Sequence, residues 1–119
     1  LRQVGEITEQ ERLDLLEPTY GYRWDHCNHI TGDDFWMQVH YKKAYLKIKP
    51  GGHIHLHVDR PPHANKTHTV LQTNERCINR VGGVDFHCAL RGIYLTDASV
   101  PHESFNHGDT DRIHLVETL

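Results

Sequence analysis

The hydrophobic pattern changes its period once along this chain. Near the start, Thr8-Glu9-Gln10-Glu11 has the form of a capping box, with Thr8 as N-cap and Glu11 three residues on, and Leu13, Leu15 and Leu16 supply an apolar side. A short N-terminal helix ending near Pro18 follows from it. Between Tyr20 and Gly32 the pattern is irregular and aromatic, with Tyr20, Tyr22 and Trp24 alternating, and both a strand and an ordered loop fit. After Gly32 the period becomes two, the mark of strands with one buried face. The expected strands are Phe35 to Tyr41, Ala44 to Lys49, His53 to Asp59, Thr67 to Thr73, Asp85 to Leu90, Gly92 to Asp97 and Arg112 to Thr118. Pro50-Gly51-Gly52 and Pro61-Pro62 punctuate them. Short strands between turn signals, with no second helical pattern, predict an all-β fold with minor α content, an antiparallel sandwich or barrel.

Within His53-Ile54-His55-Leu56-His57-Val58-Asp59, strict alternation would place the three histidines and Asp59 on one face and Ile54, Leu56 and Val58 on the other, core-facing side. A histidine and a carboxylate two apart on a strand can occupy two cis positions on one metal, and His57-x-Asp59 is such a pair. Taken alone, the motif reads sooner as a solvated edge strand with incidental histidines. A distal His102 and, ten residues on, Arg112 at the head of an apolar strand change its meaning. Two histidines and one carboxylate on one face of an octahedral Fe(II) leave three positions for exogenous ligands. Arg112 offers a planar fork suited to a carboxylate. By itself it reads sooner as half of a surface ion pair with Asp109 or Asp111.

The 119 residues, 37% hydrophobic and 24% charged, fit one domain spanning 1–119. A formal net charge of −3, with Lys and Arg scattered, offers no broad electropositive face, which argues against a nucleic-acid partner. No apolar run is long enough to span a bilayer and Leu1 to Glu11 lacks the build of a signal peptide, so a cytoplasmic protein without a membrane partner is expected. Cys27, Cys77 and Cys88 show no C-x-x-C spacing and read as reduced structural thiols. The anomaly is histidine. Twelve in the chain raise the expectation of a transition-metal site, with some of them bystanders.

Taken together, H-x-D, a distal His and an Arg ten residues beyond it resemble the Fe(II)- and 2-oxoglutarate-dependent oxygenases with a double-stranded β-helix core. The likeness covers about Tyr45 to Glu117. Lys66-Thr67-His68 through Thr73-Asn74, Gly92-Ile93-Tyr94, and His102-x-x-x-Asn106 to Asp111-Arg112-Ile113-His114-Leu115 are similar to the aspartyl/asparaginyl β-hydroxylase branch. The resemblance implies a jelly-roll, cupin-like barrel in which His57, Asp59 and His102 bind Fe(II) and form the catalytic centre. It implies that Arg112 anchors 2-oxoglutarate, that His68 helps hold this cosubstrate, and that O₂ is consumed in hydroxylating a substrate carbon. Lys66 stands where the branch has Arg, and Asp59 is present where some members lack the carboxylate. Small-molecule and peptidyl amino-acid substrates both fit, and the resemblance tilts toward an amino-acid side chain.

Two other readings share the barrel. A cupin-type metalloprotein would use His55-x-His57 and His102 without a cosubstrate, although the Glu expected a few residues after H-x-H is missing and Arg112 would have no task. A non-catalytic jelly roll would carry incidental histidines, or a closed structural metal site completed by His53 or His55. Trp24, Phe35, Trp36 and Tyr45 are expected as core or cleft walls. His63, His87, His107 and His114 are expected at the surface or behind the ligands. Asn106 could orient the loop around His102 or satisfy a turn.

Overall fold

The computed structural model describes residues 1–21, 23–26, 34–61 and 64–119. Tyr22, Cys27, His63 and most of the loop expected to reach Gly32 lie outside the described residues. Among the described residues, eleven strands form two antiparallel sheets. In chain order they are β1 (Arg2–Glu6), β2 (Asp25–His26), β3 (Asp34–His40), β4 (Lys43–Ile48), β5 (His53–His57), β6 (Asn65–Gln72), β7 (Cys77–Val81), β8 (Val84–Phe86), β9 (Gly92–Asp97), β10 (His102–Asn106) and β11 (Arg112–Thr118). The larger sheet runs β1-β9-β6-β11-β4-β3-β2 and the smaller β5-β10-β7-β8. This is the all-β, cupin-like jelly roll that the sequence predicts. No helix among the described residues is long and apolar enough to cross a membrane.

The helix, α1 (Glu9–Leu16), begins as its capping box requires: the Glu11 N–H donates to Thr8 Oγ1 at 3.1 Å and the Thr8 N–H to Glu11 Oε1 at 3.0 Å. A 3₁₀ turn containing Pro18 closes it. Strand β1, which the sequence did not announce, precedes it and pairs with β9.

Alternation along β4 and β11 decides where the core lies. Tyr45, Ile113 and Leu115 point outward and pack with Leu71 and Leu16 of α1, bordered by Ile7, Leu15, Trp24 and Met37. The Tyr45 hydroxyl donates to the Leu15 carbonyl at 2.7 Å and Arg12 Nη1 to the Leu71 carbonyl at 3.0 Å, fixing the helix across the sheet. The intervening residues Leu46, Arg112, His114 and Val116 face the smaller sheet. Strand β11 is therefore buried on both faces from Arg112 to Val116, apolar toward α1 and largely polar toward the barrel interior.

Strand β5 departs from simple alternation. Against β10, His102 pairs with His57 but Ser104 pairs with Ile54, so three steps on β5 match two on β10. The extra residue is a β-bulge, and it reverses the side to which the rest of the strand points. Ile54 and His57 both line the interior cavity, whereas His53 stacks on Phe105 (ring centroids 4.3 Å apart) and His55 packs on His53 (4.6 Å). The expectation of three histidines and Asp59 on one face is corrected accordingly. The expected apolar core face is also corrected, because Ile54 is buried while Leu56 and Val58 are 61% and 47% exposed.

Candidate metal centre and its cavity

His57 ends β5 and His102 opens β10, directly opposite one another in register, with ring centroids 4.3 Å apart. Each imidazole is held by a backbone carbonyl two residues back: His57 Nδ1 lies 2.5 Å from the His55 oxygen and His102 Nδ1 2.8 Å from that of Val100. A carbonyl can only accept, so both rings carry the proton on Nδ1 and turn the Nε2 lone pair toward the centre. Burial pushes His102 below the usual imidazole range, keeping that lone pair available.

Asp59 lies beyond the end of β5, where its N–H donates to the Ala98 carbonyl at 2.7 Å. Its Oδ1 is 3.8 Å from His57 Nε2 and its Oδ2 is 2.6 Å from Lys66 Nζ. Burial opposes its charge, but the hydrogen bond and positive charge of Lys66 prevail and hold the carboxyl below its ordinary range. One ligand atom from each of His57, Asp59 and His102 lies within 4.8 Å of the others. His55 does not join this group, so the structure does not assemble the His55, His57 and His102 set.

The three residues border a cavity of about 440 Å³ between the sheets, walled on its apolar side by Trp36, Leu46, Ile54 and Val116. At its polar end is Arg112, 1% exposed, whose Nη1 donates to Asn79 Oδ1 at 2.8 Å while its Nε has no partner among the described residues. It makes no surface ion pair with Asp109 or Asp111. Burial lowers it to about 10, still a cation at neutral pH. A buried guanidinium offset only by an amide is costly unless an anion completes it.

His68 also borders the cavity, and its Nδ1 is 3.1 Å from Nδ1 of the fully buried His114. Burial first, and then Arg112, drive His68 down to about 3 and His114 well below its ordinary value, so both rings are neutral. Sequence reasoning placed His114 at the surface or behind the ligands, and the buried position is the one found; Asn79 and the role of Lys66 toward Asp59 it left unassigned. For His114 a signal existed, because it shares strand parity with Arg112. Nothing local marked Asn79 or the pairing of Lys66 with Asp59.

Asn106 ties the frame of Arg112 together. Fully buried, it donates through Nδ2 to the carbonyls of Ile48 (2.9 Å) and Thr110 (2.8 Å) and accepts at Oδ1 from the Gly108 N–H (3.1 Å). Of its two expected roles, the turn is the one observed, and that turn leads into β11. Cys77 and Cys88 are buried free thiols.

Known structures share this architecture. A Photorhabdus luminescens protein superposes with TM-score 0.64 at 11% identity, covering 98% of this chain and 86% of that one. The cupin domain of Schizosaccharomyces pombe Cnp3 gives 0.60 at 9% identity over 83% and 70%. A predicted oxalate decarboxylase of Thermotoga maritima gives 0.52 at 22% identity, and the chain spans 65% of that protein's length, as of its own. Such identities speak for the fold alone. The sequence itself says more: residues 26–118 match the family model described as aspartyl/asparaginyl β-hydroxylase, and the chain belongs to that family.

Proposed function

We propose that this chain is an Fe(II)- and 2-oxoglutarate-dependent dioxygenase that hydroxylates a carbon of an amino-acid side chain, free or peptidyl. The observation that carries the reading is Arg112, a buried cation without a carboxylate partner among the described residues, on the same cavity as the convergent His57, Asp59 and His102. The donor set suits Fe(II): two imidazoles and one carboxylate, with room left in the coordination sphere.

When bound, the iron and its cosubstrate would supply O₂ activation and the oxidising equivalents. The chain's own residues do the rest. His57 and His102 present Nε2 from rings fixed at Nδ1, so little reorientation is needed on loading. Arg112 would hold a carboxylate of 2-oxoglutarate, and His68, on the same cavity, would help hold that molecule. Trp36, Leu46 and Val116 exclude water from the space left for substrate.

The test is anaerobic titration of Fe(II)-loaded protein with 2-oxoglutarate. Arg112→Ala is expected to retain iron and lose most cosubstrate affinity, and Arg112→Lys to recover part of it, since a point charge cannot reproduce two parallel hydrogen bonds. His102→Ala is expected to lose iron with its circular dichroism unchanged. If wild-type protein failed to bind millimolar 2-oxoglutarate, or if Arg112→Ala bound it as tightly as wild type, the cosubstrate reading would fall.

A further inference from the structure

The contact between His68 and His114 joins two nitrogens of the same kind, Nδ1 to Nδ1 at 3.1 Å, with the rings nearly perpendicular. One nitrogen must carry a proton and the other a lone pair, so two arrangements are possible. In the first, His114 donates, its Nε2 is a bare lone pair, and His68 carries its proton on Nε2. In the second, His68 donates, its Nε2 is bare, and His114 bears an Nε2–H.

The surroundings of His114 choose between them. His114 is 1% exposed, and its Nε2 is buried with no hydrogen-bond partner among the described residues. Its in-register neighbours are Leu46 on β4 and Val70 on β6, neither of which has a side-chain acceptor. An N–H stranded there would forfeit a full hydrogen bond to water, a heavier loss than a stranded ring lone pair. Arg112, two residues earlier on the same face of β11, opposes added positive charge on His68 and His114 alike and so does not decide between them. The stranded Nε2 of His114 selects the first arrangement.

We propose that His114 sets the tautomer of His68, so that His68 presents an Nε2–H donor to the cavity and, with Arg112, makes its polar end a receptor for a dicarboxylate. His68 lines the main cavity and His114 does not, so the ring edge away from Nδ1 is the one that a ligand meets. In the opposite tautomer His68 would offer a lone pair to an anion and repel it. His114 is a positioning residue that acts through His68. The tautomer assignment stands on the pair and its surroundings alone, and only its use against 2-oxoglutarate rests on the function proposed above.

The experiment is long-range ¹H–¹⁵N correlation of the imidazoles at neutral pH in Zn(II)-loaded protein, followed by titration with 2-oxoglutarate. Wild type is expected to show His68 protonated on Nε2 and His114 on Nδ1. In His114→Leu, which removes the donor, His68 is expected to become a mixture of tautomers and cosubstrate affinity to fall on the order of tenfold. His114→Asn, whose amide can donate from close to the original Nδ1 position, is expected to keep the Nε2–H form and stay within about threefold of wild-type affinity. A merely structural role for His114 would move neither the tautomer nor the contrast between Leu and Asn. Finding His68 protonated on Nδ1 in wild type, or unchanged on Nε2 in His114→Leu, would overturn the proposal. Failure of 2-oxoglutarate to bind a protein showing the expected tautomers would sink the cosubstrate reading while supporting the assignment.

Discussion

Lys66 Nζ stands 2.6 Å from Asp59 Oδ2, so the carboxylate of the candidate triad carries its own counter-ion before any metal arrives. Both side chains are under a quarter exposed, so the pair is screened less than a surface ion pair. Lys66→Met should destabilise the metal-free protein by about 1–2 kcal/mol, because Asp59 is left partly buried without a partner. Added Mn(II) should then raise the unfolding midpoint of this variant more than that of wild type, since the metal takes over the neutralising role. Denaturant unfolding with chelator and with Mn(II) measures both. Equal stability of the two metal-free proteins would show that Lys66 does not serve this purpose.

Arg112 is completed by an amide, and the choice of amide over acid at Asn79 has a measurable meaning. Asn79→Asp would supply the guanidinium with an internal carboxylate at about the observed 2.8 Å contact. The ligand's carboxylate would then compete with a partner already in place. Affinity for 2-oxoglutarate is expected to drop at least ~10-fold, with thermal stability unchanged or higher. Undiminished affinity in this variant would mean that the ligand does not use Arg112.

Acid sensitivity follows from the buried histidine pair. Both imidazoles have folded-state values far below the ordinary 6.5, that of His68 at about 3, so the unfolded chain binds more protons than the native one below neutrality. Their contribution is fully present above the unfolded value and is lost as pH falls toward the folded one. His68 adds a slope of about 1.4 kcal/mol per pH unit between roughly pH 6 and pH 4, and His114 acts in the same direction. Urea unfolding at stepped pH should show a shallower acid limb for His114→Leu than for wild type, and identical limbs would contradict the buried, neutral pair.

Asn106 is predicted to be a stability residue with catalytic side effects. Asn106→Leu strands the Ile48 carbonyl and the Gly108 N–H in the interior and removes one of the two bonds to the Thr110 carbonyl, which keeps Asn74, and this should cost on the order of 3 kcal/mol. Because these bonds set the turn into β11, cosubstrate affinity is expected to fall further than metal affinity. The two titrations, compared on the same variant, test the order.

Much of the site could be read from residue type and spacing, because His57, Asp59, His102 and Arg112 announce their chemistry wherever the chain puts them. Strands β9 and β11 could be read to the residue, each having apolar positions on at least one buried face and a clear break before it. Strands β7 and β10 could not. Their sequences, Cys77-Ile78-Asn79-Arg80-Val81 and His102-Glu103-Ser104-Phe105-Asn106, line a polar interior, so the usual contrast between an apolar inner face and a polar outer one is missing. The bulge in β5 was hidden for a different reason. Register against β10 is a property of two segments far apart in sequence, and no pattern within His53 to Asp59 encodes it. Asp59 does join His57, but from beyond the strand, held there by the Ala98 carbonyl rather than by alternation.

The double burial of β11 separates two demands that most enzymes must reconcile on the same side chains. Leu16, Tyr45, Leu71, Ile113 and Leu115 close against one another on the far side of the sheet from the cavity. Trp36, Leu46 and Val116, which shape the space a substrate would occupy, belong to the alternate positions of β3, β4 and β11. Exchanging one of these wall residues alters what the chamber admits while the packing under α1 keeps the strands in place. The shape of the chamber can therefore change by single substitutions along the very strands that hold the molecule together.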